Sequence, residues 1–110
     1  MANTFKNAVA ASVGTSQTSV YTAPSATTTT VIGLTVANRS GSQITVDVAV
    51  TDTSASTTVF LVKGASVPAG GALVPVGGDQ KVVLETTDII KVTSSAASSA
   101  DVIVSVLEQS

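Results

Sequence analysis

The chain has 110 residues, of which 11% are charged and 3% are aromatic, and its formal net charge is −2. The length fits one domain, and the five cations, spread singly, lack the clustering that nucleic-acid binding requires. Soluble domains usually carry roughly 25% charged residues, so either Ser and Thr hydroxyls keep this surface hydrated or other subunits cover part of it. We favour the second explanation, that other subunits cover part of the surface, because Ala and Val also fall at predicted outward positions.

Residues 1–16 show no clear strand period, and we predict an N-terminal arm over 1–16 followed by one β-domain over 17–110. The apolar run at residues 8–13 is short and poor in Leu, which disfavours a signal peptide. No stretch approaches the ~20 apolar residues of a membrane span, so we expect no membrane association.

Phe5 is a bulky aromatic residue in an otherwise sparse segment, and such residues act as anchors in the pockets of neighbouring subunits. We predict an assembly contact that involves Phe5, Lys6 and Tyr21. The alternative is that Phe5 folds back on its own domain or is simply mobile.

From residue 17 onward, short runs typical of β-strands alternate with clusters of turn residues. The clearest run is 43–51, where Ile44, Val46 and Val48 alternate with polar residues. In the last run, Ile103, Ser105 and Leu107 share the face opposite to the valines. The predicted strands cover residues 17–23, 27–38, 43–51, 58–63, 72–76, 80–85, 89–93 and 100–108.

Turn signals recur every 8–12 residues, and no helical period is present outside the first 16 residues. The pair Gly77-Gly78 is suited to a tight hairpin between the runs at 72–76 and 80–85. About eight short strands at this spacing predict an all-β, single-domain antiparallel β-sandwich, jelly-roll or Ig-like.

The sequence contains no His and no Cys, which excludes Ser-His-Asp and Cys-His nucleophilic catalysis and removes the usual zinc ligands. No Ser-x-x-Lys spacing occurs either. The seven carboxylates fall at predicted strand ends, in turns or at outward positions. We therefore expect no enzymatic activity and no cofactor.

Two ligand classes are disfavoured by what the chain lacks. A carbohydrate-binding module normally stacks sugars on aromatic rings, and only Tyr21 and Phe60 could supply one, so this class is a remote alternative. Calcium needs about six to eight oxygens, and neither Asp47, Asp52 nor the Glu85/Asp88 turn lies in an Asp-x-Asp-x-Asp-Gly loop. We expect no metal site.

The segments FKNAVAASVGTSQTSVYTAP (5–24), TTVIGLTVAN (29–38) and residues 63–108 resemble small virion structural proteins of tailed phages, notably marine and cyanobacterial ones. The resemblance covers nearly the whole chain and implies a β-sandwich subunit of the particle without a catalytic site. In that family the turn at 86–88 often reads Gly-Asp, whereas here it reads Thr87-Asp88, which puts the turn type in question.

These features together predict a capsid decoration, or cement, protein that stabilises the head shell through contacts between subunits. The expected partners are the major capsid protein or other virion proteins and further copies of the chain, with a trimer as one arrangement. The expected location is the virion, after synthesis in the cytoplasm of the host bacterium. The alternative is a neck, tail or fibre-associated component, which copy number per particle would distinguish.

Overall fold

The computed structural model describes residues 3–77 and 81–110, and these residues form nine β-strands. None of them lies in a helix long and apolar enough to cross a membrane. In chain order the strands are β1 (Asn3–Val13), β2 (Thr18–Thr22), β3 (Thr28–Asn38), β4 (Ile44–Asp52), β5 (Thr57–Val67), β6 (Ala72–Val76), β7 (Val82–Leu84), β8 (Ile89–Ser94) and β9 (Ala100–Gln109).

The strands form two sheets in which every pair is antiparallel. Sheet A has the order β1-β9-β3-β6, with β7 also paired to β3, and sheet B has the order β2-β8-β4-β5. The two sheets enclose one core. The predicted single-domain antiparallel β-sandwich is therefore confirmed.

The strand order identifies the type of sandwich. Strand β6 pairs with β3 between Leu34 and Ala37, and β7 pairs with β3 between Thr29 and Val31, so both lie along the same edge of β3. If β6 and β7 are counted as one interrupted strand, eight strands pair first with last, second with seventh, third with sixth and fourth with fifth. This is a long hairpin rolled into two sheets, the topology of a jelly roll and not of an Ig domain.

The predicted hairpin at Gly77-Gly78 is wrong. Both β6 and β7 run antiparallel to β3, so they run in the same direction as each other and cannot be the two arms of a hairpin. Gly78 itself lies outside the described residues.

The core is built almost entirely from Val, Leu and Ile at alternating strand positions. In β4, Ile44, Val46 and Val48 are at most 2% exposed, as the alternation over 43–51 predicted. Leu34 and Val104 meet this cluster from β3 and β9 of the opposite sheet. Because alternate residues of each strand are buried, the inner faces of the two sheets pack against each other.

The predicted arm at residues 1–16 is corrected by the structure, because residues 3–13 form β1 at the edge of sheet A. Asn3 to Ala10 pair in regular register with β9, and an irregularity follows before Val13. The backbone ladder to β9 is sufficient to fix an extended conformation here. The sequence period is weak because the inward positions hold Thr4 and Lys6 instead of large apolar residues.

Candidate functional site

One face of sheet A points away from the core, and its residues can be assigned from β9. Val102, Val104 and Val106 are buried, so the residues between them point outward. Directly opposite residues of an antiparallel pair share a face, so the register assigns the outward residues of the neighbouring strands. We call this surface the outer face of sheet A; it includes Phe5, Asn7 and Val9 of β1, Ile103, Ser105 and Leu107 of β9, and Thr30, Thr35 and Ala37 of β3.

The outer face of sheet A carries exposed apolar side chains. Phe5 is 76% exposed, Val9 is 67% exposed and Ile103 is 45% exposed. Val9 lies directly opposite Ile103, and with Thr35 they line a shallow depression of about 320 Å³. The polar pair of Asn7 and Ser105 separates Phe5 from the Val9–Ile103 pair. Exposed apolar residues grouped on one face are typical of an interaction surface. The alternation in residues 100–108 had placed Ile103, Ser105 and Leu107 together on this side.

The same face is nearly free of charge. Among the described strand residues that point outward from sheet A, one is charged, namely Asp101 at the end of the face. Its Oδ1 accepts a 2.9 Å hydrogen bond from the backbone N–H of Ser12 and lies 3.4 Å from a guanidinium nitrogen of Arg39. A partner that covers this face therefore has to desolvate few ionic groups.

The outward face of sheet B is different, because it carries both signs of charge. Asp47 and Lys91 alternate with buried residues of β4 and β8, so both point outward. From β5, the Lys63 ammonium lies 3.9 Å from the Asp47 carboxylate and 4.6 Å from the centroid of the Phe60 ring. The cation covers the exposed ring of Phe60 and keeps this side hydrated. The two faces of the sandwich are therefore chemically distinct.

The first half of β1 makes few contacts besides its ladder to β9. Residues from Asn3 to Asn7 are all exposed, whichever face they point to. Lys6 lies on the core-facing side of sheet A, where its ammonium is 3.1 Å from Glu108 Oε1. Two of the predicted assembly residues, Phe5 and Lys6, thus lie on an accessible edge strand, although this strand belongs to the sheet and is not an arm.

The third predicted assembly residue, Tyr21, is used inside the domain. Its hydroxyl donates a 2.6 Å hydrogen bond to Glu108 Oε2 and lies 2.9 Å from Thr29 Oγ1. Burial, and then the bond to Glu108, raise the pKa of Tyr21 to about 12. The same bond, with a smaller contribution from Lys6, holds the pKa of Glu108 below its usual range. The half-buried ring packs against the core, so we leave Tyr21 out of the contact surface.

The structure places the carboxylate of Asp52 close to those of Glu85 and Asp88, although Asp52 is distant from them along the chain. Ligand oxygens of Asp52, Glu85 and Asp88 lie within 4.8 Å of one another. Asp88 is buried, and its carboxylate accepts backbone hydrogen bonds from Thr53 at 3.1 Å and Glu85 at 2.9 Å. The Asp88 oxygens thus order the turn between β7 and β8.

The hydrogen bonds of Asp52 are equally local. Its Oδ1 accepts bonds from the Ser54 hydroxyl at 2.8 Å and the Ala55 backbone at 3.1 Å, and the bond from Ser54 is the main reason that the pKa of Asp52 is lowered. Asp52 therefore serves the turn after β4. Spacing in the sequence could have suggested neither this cluster nor the Tyr21–Glu108 bond, since both join distant segments.

No model of a known protein family, no curated protein and no solved structure matches this chain. Its class is therefore defined by the fold and the surface: a jelly-roll β-sandwich with one charged face and one nearly uncharged, partly apolar face.

Proposed function

We propose that this protein is a non-enzymatic structural subunit of a tailed-phage particle, most specifically a capsid decoration protein that stabilises the head shell. The observation that carries the proposal is the outer face of sheet A, where Phe5, Val9 and Ile103 are exposed on a surface almost without charge. The partner at this face is the major capsid protein or another virion protein. Binding only the assembled shell shifts the equilibrium toward that shell.

The size of the face suits this role. It is four strands wide and about ten residues long, which corresponds to roughly 600 Å² at about 4.8 Å per strand and 3.3 Å per residue. A standard protein interface buries about 800 Å² on each partner. Each apolar Å² removed from water contributes about 25 cal/mol before the cost of association is subtracted. One subunit thus adds a moderate stabilisation, and many copies add a large one.

Two further features support a place on the particle. Jelly rolls recur in viral capsid domains, although the same fold also occurs in lectins and cupins, so the fold alone does not establish the role. The resemblance of residues 5–24, 29–38 and 63–108 to tailed-phage virion proteins favours a virion protein over these other classes, and it does not distinguish the head from the neck or tail. The scattered cations give no footprint for packaged nucleic acid.

The test uses purified protein and phage particles that lack it. Ile103→Asp places a charge in the middle of the outer face of sheet A, and Val59→Asp is the matched control, since Val59 is 53% exposed on sheet B. Both variants should fold, because both side chains are exposed. Wild type and Val59→Asp should load the particles and raise their melting temperature, whereas Ile103→Asp should not load.

Full loading by Ile103→Asp, or no loading by the wild type, would overturn the proposed interface. The number of bound copies separates the two locations on the particle. Hundreds of copies identify a shell protein, and about a dozen identify the neck or tail component that is the alternative.

A further inference from the structure

The free edge of β1 is the least protected backbone of the described sheets. The order of sheet A leaves β1 paired on one side only, with β9. From Asn3 to Ala10 the register is regular, and this stretch contains no proline and a single charge, at Lys6. Proteins usually protect an edge with prolines, several charges, bulges or a short strand. An edge that is long, regular and exposed on both faces is a template for pairing with another strand.

From this edge we infer that two copies of the chain pair through β1, antiparallel, about a two-fold axis that passes between Asn7 and its copy. The occupant of the edge is β1 of a second copy. This dimer goes beyond the proposed function and does not depend on it, because the contact is present in the purified protein whether or not the chain binds a particle.

Symmetry restricts the possible registers to a few. Two antiparallel strands related by a two-fold axis normal to their sheet place one residue opposite its own copy, and the axis passes midway between the two. Shifting the pairing by half a step would place outward side chains opposite inward ones, which the pleat forbids. The residue that faces its own copy therefore lies between Phe5 and Val9, since an axis at any other residue would leave only a short stretch of β1 paired.

The side chains of β1 select one of these registers. An axis at Lys6 would place two ammonium groups directly opposite each other, which is destabilising. An axis at Phe5 would leave only residues 3–7 paired. An axis at Val9 would align Phe5 with Val13, whose side chain is buried in its own domain beyond the irregularity after Ala10.

The two remaining registers differ in what faces Phe5. An axis at Ala8 places Phe5 opposite Ala11 of the second copy, at the irregular end of the strand. An axis at Asn7 places Phe5 opposite Val9 of the second copy, on both sides of the axis. Pairs of an aromatic and a β-branched residue are among the favourable cross-strand pairs. The same register keeps residues 4–10, the regular part of the strand, in the ladder.

The number of backbone hydrogen bonds in the dimer is within the range of ordinary protein interfaces. Pairing of residues 4–10 gives about six to eight backbone hydrogen bonds, depending on which alternate residues face the edge, and a typical interface has about 10 ± 5. Because the axis is normal to the sheet, the two outer faces of sheet A become one continuous surface. The uncharged face doubles in width, with Phe5 and Val9 at its centre.

This two-fold contact produces a closed dimer and not the trimer that we considered from the sequence. It is isologous, since the same strand contributes on both sides. A ring with an odd number of subunits cannot be built from this contact alone.

Cysteine cross-linking tests the register directly, because the natural chain has no Cys. Asn7→Cys puts one thiol from each copy on either side of the axis, where directly opposite Cα atoms are about 4.5–5.5 Å apart, within the range that a disulfide spans. Ser105→Cys is the matched control. Ser105 is the exposed residue opposite Asn7 on β9, and in the dimer the two copies of it are about three strand spacings, roughly 14 Å, apart.

Under mild oxidation Asn7→Cys should form a disulfide-linked dimer at least tenfold faster than Ser105→Cys. The double variant Phe5→Cys/Val9→Cys should also cross-link, whereas Phe5→Cys alone should not. Equal rates for Asn7→Cys and Ser105→Cys would overturn the pairing. Cross-linking of the single Phe5→Cys variant would overturn the register. A wild-type chain that sediments as a monomer at about 1 mM would also overturn the dimer.

A charge pair gives a second readout without a covalent bond. Ala8 faces Lys6 of the second copy twice in the dimer. Ala8→Glu should therefore tighten the dissociation constant about fivefold and Ala8→Lys should weaken it about fivefold. The side chain introduced at position 8 also interacts with Lys6 of its own chain. This interaction is the same in the monomer and the dimer, so it does not change the dissociation constant. Identical dissociation constants for the two variants would contradict the pairing.

Discussion

The hydroxyl of Tyr21 in β2 donates a 2.6 Å hydrogen bond to the carboxylate of Glu108 in β9, and this bond joins the two sheets. The Glu108 carboxylate also lies 3.1 Å from the ammonium of Lys6 in β1. Charge-assisted hydrogen bonds of this kind are roughly twice as strong as neutral ones. The bond fixes the side of the sandwich where β1 and β2 form the two sheet edges.

The first prediction concerns the titration of Tyr21. Burial and the neighbouring carboxylate raise its pKa to about 12, compared with about 10 for an exposed phenol. Tyr21 is the only Tyr, and the chain has no Trp, so tyrosinate absorbance reports this one group. We expect a midpoint near 12 in the folded protein and near 10 in denaturant. A folded-state midpoint of 10 would contradict the buried bond.

The control for this titration is Glu108→Gln. It keeps the size of the side chain and removes its charge, so part of the rise in the Tyr21 pKa should be lost while the part due to burial persists. A midpoint for Glu108→Gln equal to that of the wild type would mean that the carboxylate does not act on Tyr21.

The second prediction concerns stability in acid. Because hydrogen bonding lowers the pKa of Glu108 in the folded state, its ionised form stabilises the fold at pH values above the unfolded pKa, about 4.5. This contribution should be lost as pH falls from about 4.5 through the folded pKa. Urea unfolding at a series of pH values measures the effect. The acid-induced loss should be smaller in Glu108→Gln, and an equal loss in both proteins would assign it to other carboxylates.

The third prediction concerns the core. Val48 is fully buried in β4. Val48→Ala should lower the free energy of unfolding by about 2–3 kcal/mol through lost burial and a residual cavity. Val48→Asp should abolish cooperative unfolding, because it buries an unpaired carboxylate. Val59→Asp is the exposed control and should change stability by less than about 1 kcal/mol. A cooperatively melting Val48→Asp would contradict the assigned core.

The valine alternation that places Val48 in the core also shows what a sequence reveals about this fold. Period-2 patterns identify which side of a strand is buried, so residues 43–51 and 100–108 were assigned correctly. They do not identify the partner strand, which is why the jelly roll and the Ig-like order could not be distinguished. Strand β1 could not be predicted because Thr4 and Lys6 occupy inward positions beside β9, and a backbone ladder leaves no hydrophobic pattern.

The surface was predictable to a similar degree. Phe5 could be singled out by its bulk in a sparse segment, and Ile103 by its place in the alternation of β9. The sequence could not show that Phe5 and Ile103 lie on the same face, because this depends on the register between β1 and β9. The bond between Tyr21 and Glu108 could not be predicted either, because the two residues are 87 positions apart along the chain.

The last prediction concerns the turn at Thr87. The backbone N–H of Asp88 donates to the carbonyl of Glu85 at 3.1 Å, and Thr87 has a φ of 65° within this turn. That conformation favours glycine and is unfavourable for a β-branched residue. Thr87→Gly should therefore raise the free energy of unfolding by about 0.5–1 kcal/mol, even though the 2.6 Å hydrogen bond between the hydroxyls of Thr53 and Thr87 is lost.

The neighbouring Thr86 provides the control for this turn. It has no positive φ, and its hydroxyl donates a 3.0 Å hydrogen bond to the Pro24 carbonyl. Thr86→Gly should therefore lower the free energy of unfolding by about 1 kcal/mol, through lost chain rigidity and the lost bond. Chemical denaturation of both variants measures the two signs. A Thr87→Gly protein less stable than the wild type would show that the Thr53–Thr87 bond outweighs the strain at residue 87.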